Sequence, residues 1–117
     1  MPQISIDYSA GVGFDRPEFV RNLHSQVAML ISTSVDNCKT VFRRVEELYV
    51  GHGGPQAATV YLEIRIIEGR DRATKAKLAA EILNLLARSV EVEPGVRAQV
   101  AVNVADHDRE FYRKTSL

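Results

Sequence analysis

The strongest constraint on this chain is that one pattern of strand, helix and strand is written in it twice. Ile4-Ser5-Ile6-Asp7-Tyr8 alternates apolar and polar residues, the mark of a strand with one buried face. Gly11 and Gly13 break it. Asp15 is placed to cap a helix, Pro17 suits a first turn, and Glu18 stands three residues after Asp15 as in a capping box. Phe19, Leu23, Val27, Leu30 and Ser34 then follow one helical stripe, with Arg21, Asn22, Ser25 and Gln26 on the other side. A second strand is expected over Thr40 to Tyr49, and Gly51-His52-Gly53-Gly54-Pro55 is expected to be a loop. The pattern then restarts. Val60, Leu62, Ile64 and Ile66 alternate with Tyr61, Glu63 and Arg65, and Glu68-Gly69-Arg70 closes the strand. Asp71 is the next cap, Leu78, Ile82, Leu85 and Ser89, flanked by Ala79, Leu83, Leu86 and Val90, form a wide apolar stripe, and Pro94-Gly95 turns the chain. Ala98, Val100, Val102 and Val104 alternate in a last strand.

Asp15-Arg16 returns as Asp71-Arg72, 56 residues on, and at that offset Ile4 matches Val60, Ile6 matches Leu62, Val27 matches Leu83 and Leu30 matches Leu86. Two such units predict an α/β fold of the α+β kind: duplicated β-α-β units forming a four-stranded sheet with two helices on one face. The crossovers within each half are expected to be parallel and right-handed. The chain is expected to form a single domain over 1–117, with halves at about 1–50 and 58–106 and a C-terminal tail. A pseudo-two-fold axis between the halves pairs their first strands antiparallel, so the start of the first strand, at Pro2, lies beside the end of the third, at Arg70. The sheet face away from the helices would carry Ser5, Asp7, Arg43, Glu47, Tyr61, Glu63, Arg65, Arg97, Gln99 and Asn103. Such a face is either solvated or buried where subunits meet.

Fifteen acidic and fifteen basic residues balance, which argues against a bulk nucleic-acid partner. Cys38 is the one cysteine, so no internal disulfide forms. No signal-peptide pattern and no membrane-length apolar run is present, so the expected location is cytoplasmic, with no membrane partner. His24, His52 and His107 lack metal-ligand spacing, and no metal site is expected.

Pro2 is the residue with the most distinctive chemistry. Removal of Met1 would leave a secondary amine, and burial beside cations lowers an amine's pKa toward neutrality, where a base can move a proton next to a carbonyl. Taken alone, a Pro at position 2 is more often without a role. Arg70 follows Gly69 at a strand end, where its planar fork suits a substrate carboxylate. Arg43 and Arg44 sit mid-strand and point to opposite faces; either alone reads as a surface ion pair.

Met1-Pro2-Gln3-Ile4-Ser5-Ile6-Asp7-Tyr8-Ser9 resembles the amino terminus of 5-carboxymethyl-2-hydroxymuconate isomerases. Val60 to Arg70, ending Glu68-Gly69-Arg70, resembles their third strand, and also the first strand of 4-oxalocrotonate tautomerase. The resemblance spans nearly the whole chain. It implies an isomerase of the tautomerase superfamily, of the kind used in aromatic catabolism. It implies a homotrimer with polar sheet faces turned inward, and keto–enol tautomerisation without a cofactor on a 2-hydroxymuconate-like or enolpyruvate-like carboxylate. Carried over, Pro2 is the acid/base, Arg70 binds substrate, and the second-strand arginine falls at Arg43 or Arg44, with alternation favouring Arg43. The loop from Gly51 to Gln56 is shorter than in such isomerases. Two alternatives remain: a superfamily dehalogenase, hydratase or decarboxylase using the same proline, with Glu47 activating water, and a non-catalytic trimeric binding protein.

Overall fold

The computed structural model describes residues 1–54 and 56–117. Pro55, expected within the loop after the second strand, lies outside the described residues. The main sheet has four strands: β1 (Gln3–Tyr8), β3 (Lys39–Arg44), β4 (Ala57–Ile67) and β6 (Arg97–His107), in the order β3-β1-β4-β6. β1 pairs parallel with β3 and β4 parallel with β6, while β1 and β4 run antiparallel at the centre. Ile6 lies opposite Leu62, its own counterpart 56 residues on, so the pseudo-two-fold axis passes between these two residues.

The helices α1 (Arg16–Leu30) and α2 (Arg72–Ser89) begin where the repeated Asp-Arg pair occurs. The Asp15 side chain accepts from the Glu18 backbone N–H at 3.1 Å and that of Asp71 from Thr74 at 2.8 Å, each taking up one of the donors left free at a helix start. Both helices cover one face. Ile4, Ile6, Val60, Leu62, Ile64 and Ile66 of the central strands are essentially sealed against Phe19, Leu23 and Val27 of α1 and Leu78, Ile82, Leu85 and Leu86 of α2. Period-two alternation in the strands thus meets period-3.6 stripes in the helices. A short antiparallel pair, β2 (Val12–Gly13) with β5 (Glu91–Val92), ties the two halves at one end.

Three expectations need correction. The second strand, expected over Thr40 to Tyr49, is β3 and ends at Arg44. β3 is an edge strand whose one ladder partner among the described residues is β1; β1 ends at Tyr8, opposite Arg44, and the pairing closes with one more bond, Val45 N–H to the Tyr8 carbonyl. Glu47 therefore lies past the strand and is not on the sheet face. Ser34 does not continue the α1 stripe: the helix ends at Leu30, and the Ser34 hydroxyl caps a short 3-10 turn (Val35–Asn37) by accepting from the Asp36 N–H. On α2 the apolar stripe is narrower than expected, with Leu83 exposed and Ala79 half-buried.

Candidate active site at the amino-terminal end of the sheet

Pro2 is buried at the entrance to β1, and its carbonyl accepts from the Lys39 N–H at 3.1 Å. The β1–β4 ladder ends at the Gln3–Arg65 pair, one residue after Pro2 and five before Arg70. Both residues therefore stand at the same end of the sheet. With Met1 in place, the Pro2 nitrogen is an amide without a basic lone pair. The environment of the terminal amine is nonetheless legible. The Met1 α-amino group is held below its ordinary pKa by burial first, then by the positive charges of Lys39 and Lys114, with Cys38 opposing weakly. Burial pushes the Cys38 thiol up, so it remains a thiol, lying 3.9 Å from the His24 carbonyl and 3.8 Å from that of Ser34.

Arg70 is half-buried, and its guanidinium is oriented by backbone: Nη1 donates to the Ile67 carbonyl at 3.3 Å and Nη2 to that of Ile31, the residue closing α1, at 3.1 Å. A recess of about 390 Å³ opens here, lined by Ile67, Glu68, Gly69, Arg70 and Arg109. Gly69 has φ of +124°, a conformation that L side chains rarely adopt, so the turn from β4 into α2 calls for glycine at this point.

Arg43 and Arg44 are elsewhere. Arg43 pairs with Asp7, and Gln3 with Lys39, so Arg43 lies four residues along the strand from the Pro2 end, about 13 Å at strand spacing. Arg43 is on the open face, as alternation indicated, and holds Asp7 through Nε at 2.8 Å. Arg44 lies opposite Tyr8 on the helix-side register and is exposed. Within one subunit neither meets Pro2. The open face carries further polar contacts, Glu63 with Arg65 and Asn103 with Glu63.

Lys39, Arg109 and Lys114 were not singled out from the sequence. The pairing of Gln3 with Lys39 would have revealed the first, but only once the register of β1 and β3 was known. The other two belong to the tail after β6, where no periodicity marks them. Pro2 is not among the residues lining the Arg70 recess, and the hollows of about 490 Å³ at the starts of β4 and β6, about 340 Å³ between the start of α1 and the end of α2, and about 560 Å³ between α2 and β6 contain neither Pro2 nor Arg70. Among the described residues no cluster of His, Cys, Asp and Glu is arranged to hold a metal, and no helix is long and apolar enough to cross a membrane.

This architecture recurs in solved structures. A 5-carboxymethyl-2-hydroxymuconate isomerase from Deinococcus radiodurans R1 matches with a TM-score of 0.82 at 15% identity, over 99% of this chain and 90% of that one. The chain has its fold. A fused 4-OT described as a wild-type symmetric trimer matches at 0.75 and 16% identity, over 95% and 92% of the two chains. A member of the cis-3-chloroacrylic acid dehalogenase family matches at 0.70 and 18%, over 97% and 80%. No family model matches the sequence, and no curated protein matches it. The fold is thus shared with enzymes of more than one reaction type, at identities where only the fold is common ground.

Proposed function

We propose that this chain is a cofactor-independent tautomerase whose acid/base is the secondary amine of Pro2, freed by removal of Met1. The observation that carries the reading is the setting of the amino terminus: a buried strand start beside Lys39 and Lys114, at the same end of the sheet as Arg70. Burial and positive neighbours disfavour a protonated amine at this position, the direction that favours the free base. The amine takes the proton from the enol hydroxyl of a 2-hydroxymuconate-like or enolpyruvate-like acid. The oxygen lone pair becomes a carbonyl, the double bonds shift, and the same amine returns the proton to carbon, so nothing is gained or lost overall. Arg70 holds the carboxylate next to the reacting carbonyl through donors left free by Ile67 and Ile31.

The subunits are read as a homotrimer with the open sheet faces turned inward, and in such an assembly Arg43 would reach a site through a neighbouring subunit. Glu68, in the recess with Arg70, supports a second reading, in which a carboxylate activates water for hydration or dehalogenation. Turnover of 2-hydroxymuconate and phenylenolpyruvate set beside turnover of a 3-haloacrylate separates the two. The deciding experiment compares processed protein, shown by intact mass to lack Met1, with protein that retains it. Isomerisation is expected only from the processed form; equal rates would remove Pro2 as the base.

A further inference from the structure

We propose that Arg109, carried on the turn that follows β6, is a second substrate-binding residue of the Pro2 site and grips the same carboxylate as Arg70. The proposal rests on the tautomerase reading for the identity of the ligand.

Both arginines line the recess at the end of β4. Each is aimed by a backbone carbonyl, and the carbonyls are consecutive: Arg70 Nη1 donates to Ile67 at 3.3 Å and Arg109 Nη2 to Glu68 at 2.9 Å. The two anchoring carbonyls stand at and just past the end of β4, and both guanidinium groups border the one recess, as suits two grips on a single carboxylate. Neither arginine is matched by a carboxylate. Among the described residues the ion pairs within 4.0 Å are Arg43 with Asp7, Arg65 with Glu63 and Lys75 with Asp106. The nearby acids are turned toward backbone: Glu68 Oε1 accepts from the Arg109 N–H at 3.4 Å and Asp108 Oδ1 from the Glu110 N–H at 2.8 Å. A guanidinium has five N–H donors, so most of those on both side chains are left for a ligand. Gly69 stands between them, and a Cβ there would come within 3.4 Å of Arg109 Nη2. The absence of a side chain leaves that space to Arg109. The positive charge of Lys114, on the same tail, also acts on the amino-terminal amine.

The test measures KM and kcat for phenylenolpyruvate, which has one carboxylate, and 2-hydroxymuconate, which has two. The proteins are wild type, Arg109→Ala, Arg109→Lys, Arg70→Ala, the double variant with both arginines replaced by Ala, and Arg21→Ala. Arg21 is exposed on α1, outside the recess, and serves as the control for loss of a surface arginine. Arg109→Ala is expected to raise KM about tenfold for both substrates with kcat little changed, Arg109→Lys to raise it less, and Arg21→Ala to leave it unchanged. The double variant is expected to lose less than the product of the two single losses, as for groups sharing one ligand. An unchanged KM in Arg109→Ala, an increase confined to 2-hydroxymuconate, or strictly multiplicative losses would overturn the proposal. If wild type turns over neither substrate, the tautomerase reading fails by itself. Arg109 is then tested by titrating pyruvate against the amide resonances of Gly69 and Arg70. A saturable shift that Arg109→Ala abolishes supports the shared clamp, and its absence in wild type, or its persistence in the variant, refutes it.

Discussion

Replacing Arg70 with Ala separates the structural job of this side chain from the binding job proposed for it. The guanidinium bolts the β4–α2 turn to the end of α1 through the Ile67 and Ile31 carbonyls, and it faces the recess with its remaining donors. The first job is modest. Arg70 is only half-buried, so water can replace it at both carbonyls, and the two bonds together are worth about 1–2 kcal/mol rather than the full value of buried charged pairs. That loss lowers the melting temperature by about 4–8 °C in a chain of this size. The second job is larger. Losing a charge-assisted grip on a carboxylate costs about 1.5–3 kcal/mol, or about 10- to 150-fold in kcat/KM, appearing mostly in KM. Thermal melting followed by circular dichroism reads the first, and steady-state kinetics on phenylenolpyruvate reads the second, at a temperature where both proteins are folded. Arg70→Lys keeps the charge but not the fork and is expected to lie between. A variant that melts early yet keeps the wild-type KM would show that Arg70 is a structural bolt with no hand in binding.

Lys39→Ala in the processed protein removes one of the positive charges that hold the Met1 amine's pKa down and that, in the proposed reading, act on the Pro2 amine after processing. The pKa should rise, and the rising limb of the kcat/KM profile should move to higher pH; an unmoved limb would dissociate Lys39 from the base. Arg43→Ala breaks an ion pair whose side chains are 58% and 34% exposed, so stability should change by less than about 0.5 kcal/mol while kcat/KM falls. A fall in stability with unchanged kinetics would confine Arg43 to the sheet face. Leu62→Ala, at a fully sealed position on the central strand, should cost about 2–5 kcal/mol in urea unfolding. A cost below 1 kcal/mol would move the core away from the β1–β4 seam.

What the sequence disclosed and what it withheld divide along physical lines. Ile4, Ile6, Leu62 and Ile64 announce themselves because one face of a central strand is sealed and the other is not, and burial imposes the alternation directly. Asp15 and Asp71 are legible because a helix start needs an acceptor wherever it occurs. The choice of Arg43 for the open face follows from the same alternation, since its neighbour Phe42 packs against the core. The end of β3 was not legible, because an edge strand stops where its one partner stops, and that length is written in β1. Lys39 and Arg109 were hidden for a related reason. Their places near Pro2 and Arg70 come from a pairing register and from the path of the tail, neither of which leaves a period in the residues around them.

The internal repeat also bears on how the two ends of the sheet have diverged. The counterpart of Gly69 is Gly13 and that of Asp71 is Asp15, so the second end keeps its glycine and its helix cap. The counterpart of Pro2, however, is Ala58, sealed in mid-chain where no amine can ever be free, and Phe14 stands in place of Arg70. Phe14 has joined a ring cluster with Tyr8, Phe19 and Phe42. A duplicated scaffold has thus become asymmetric: one end keeps the proline and arginine to which we assign the chemistry, while its twin, lacking both, has exchanged charge for packing.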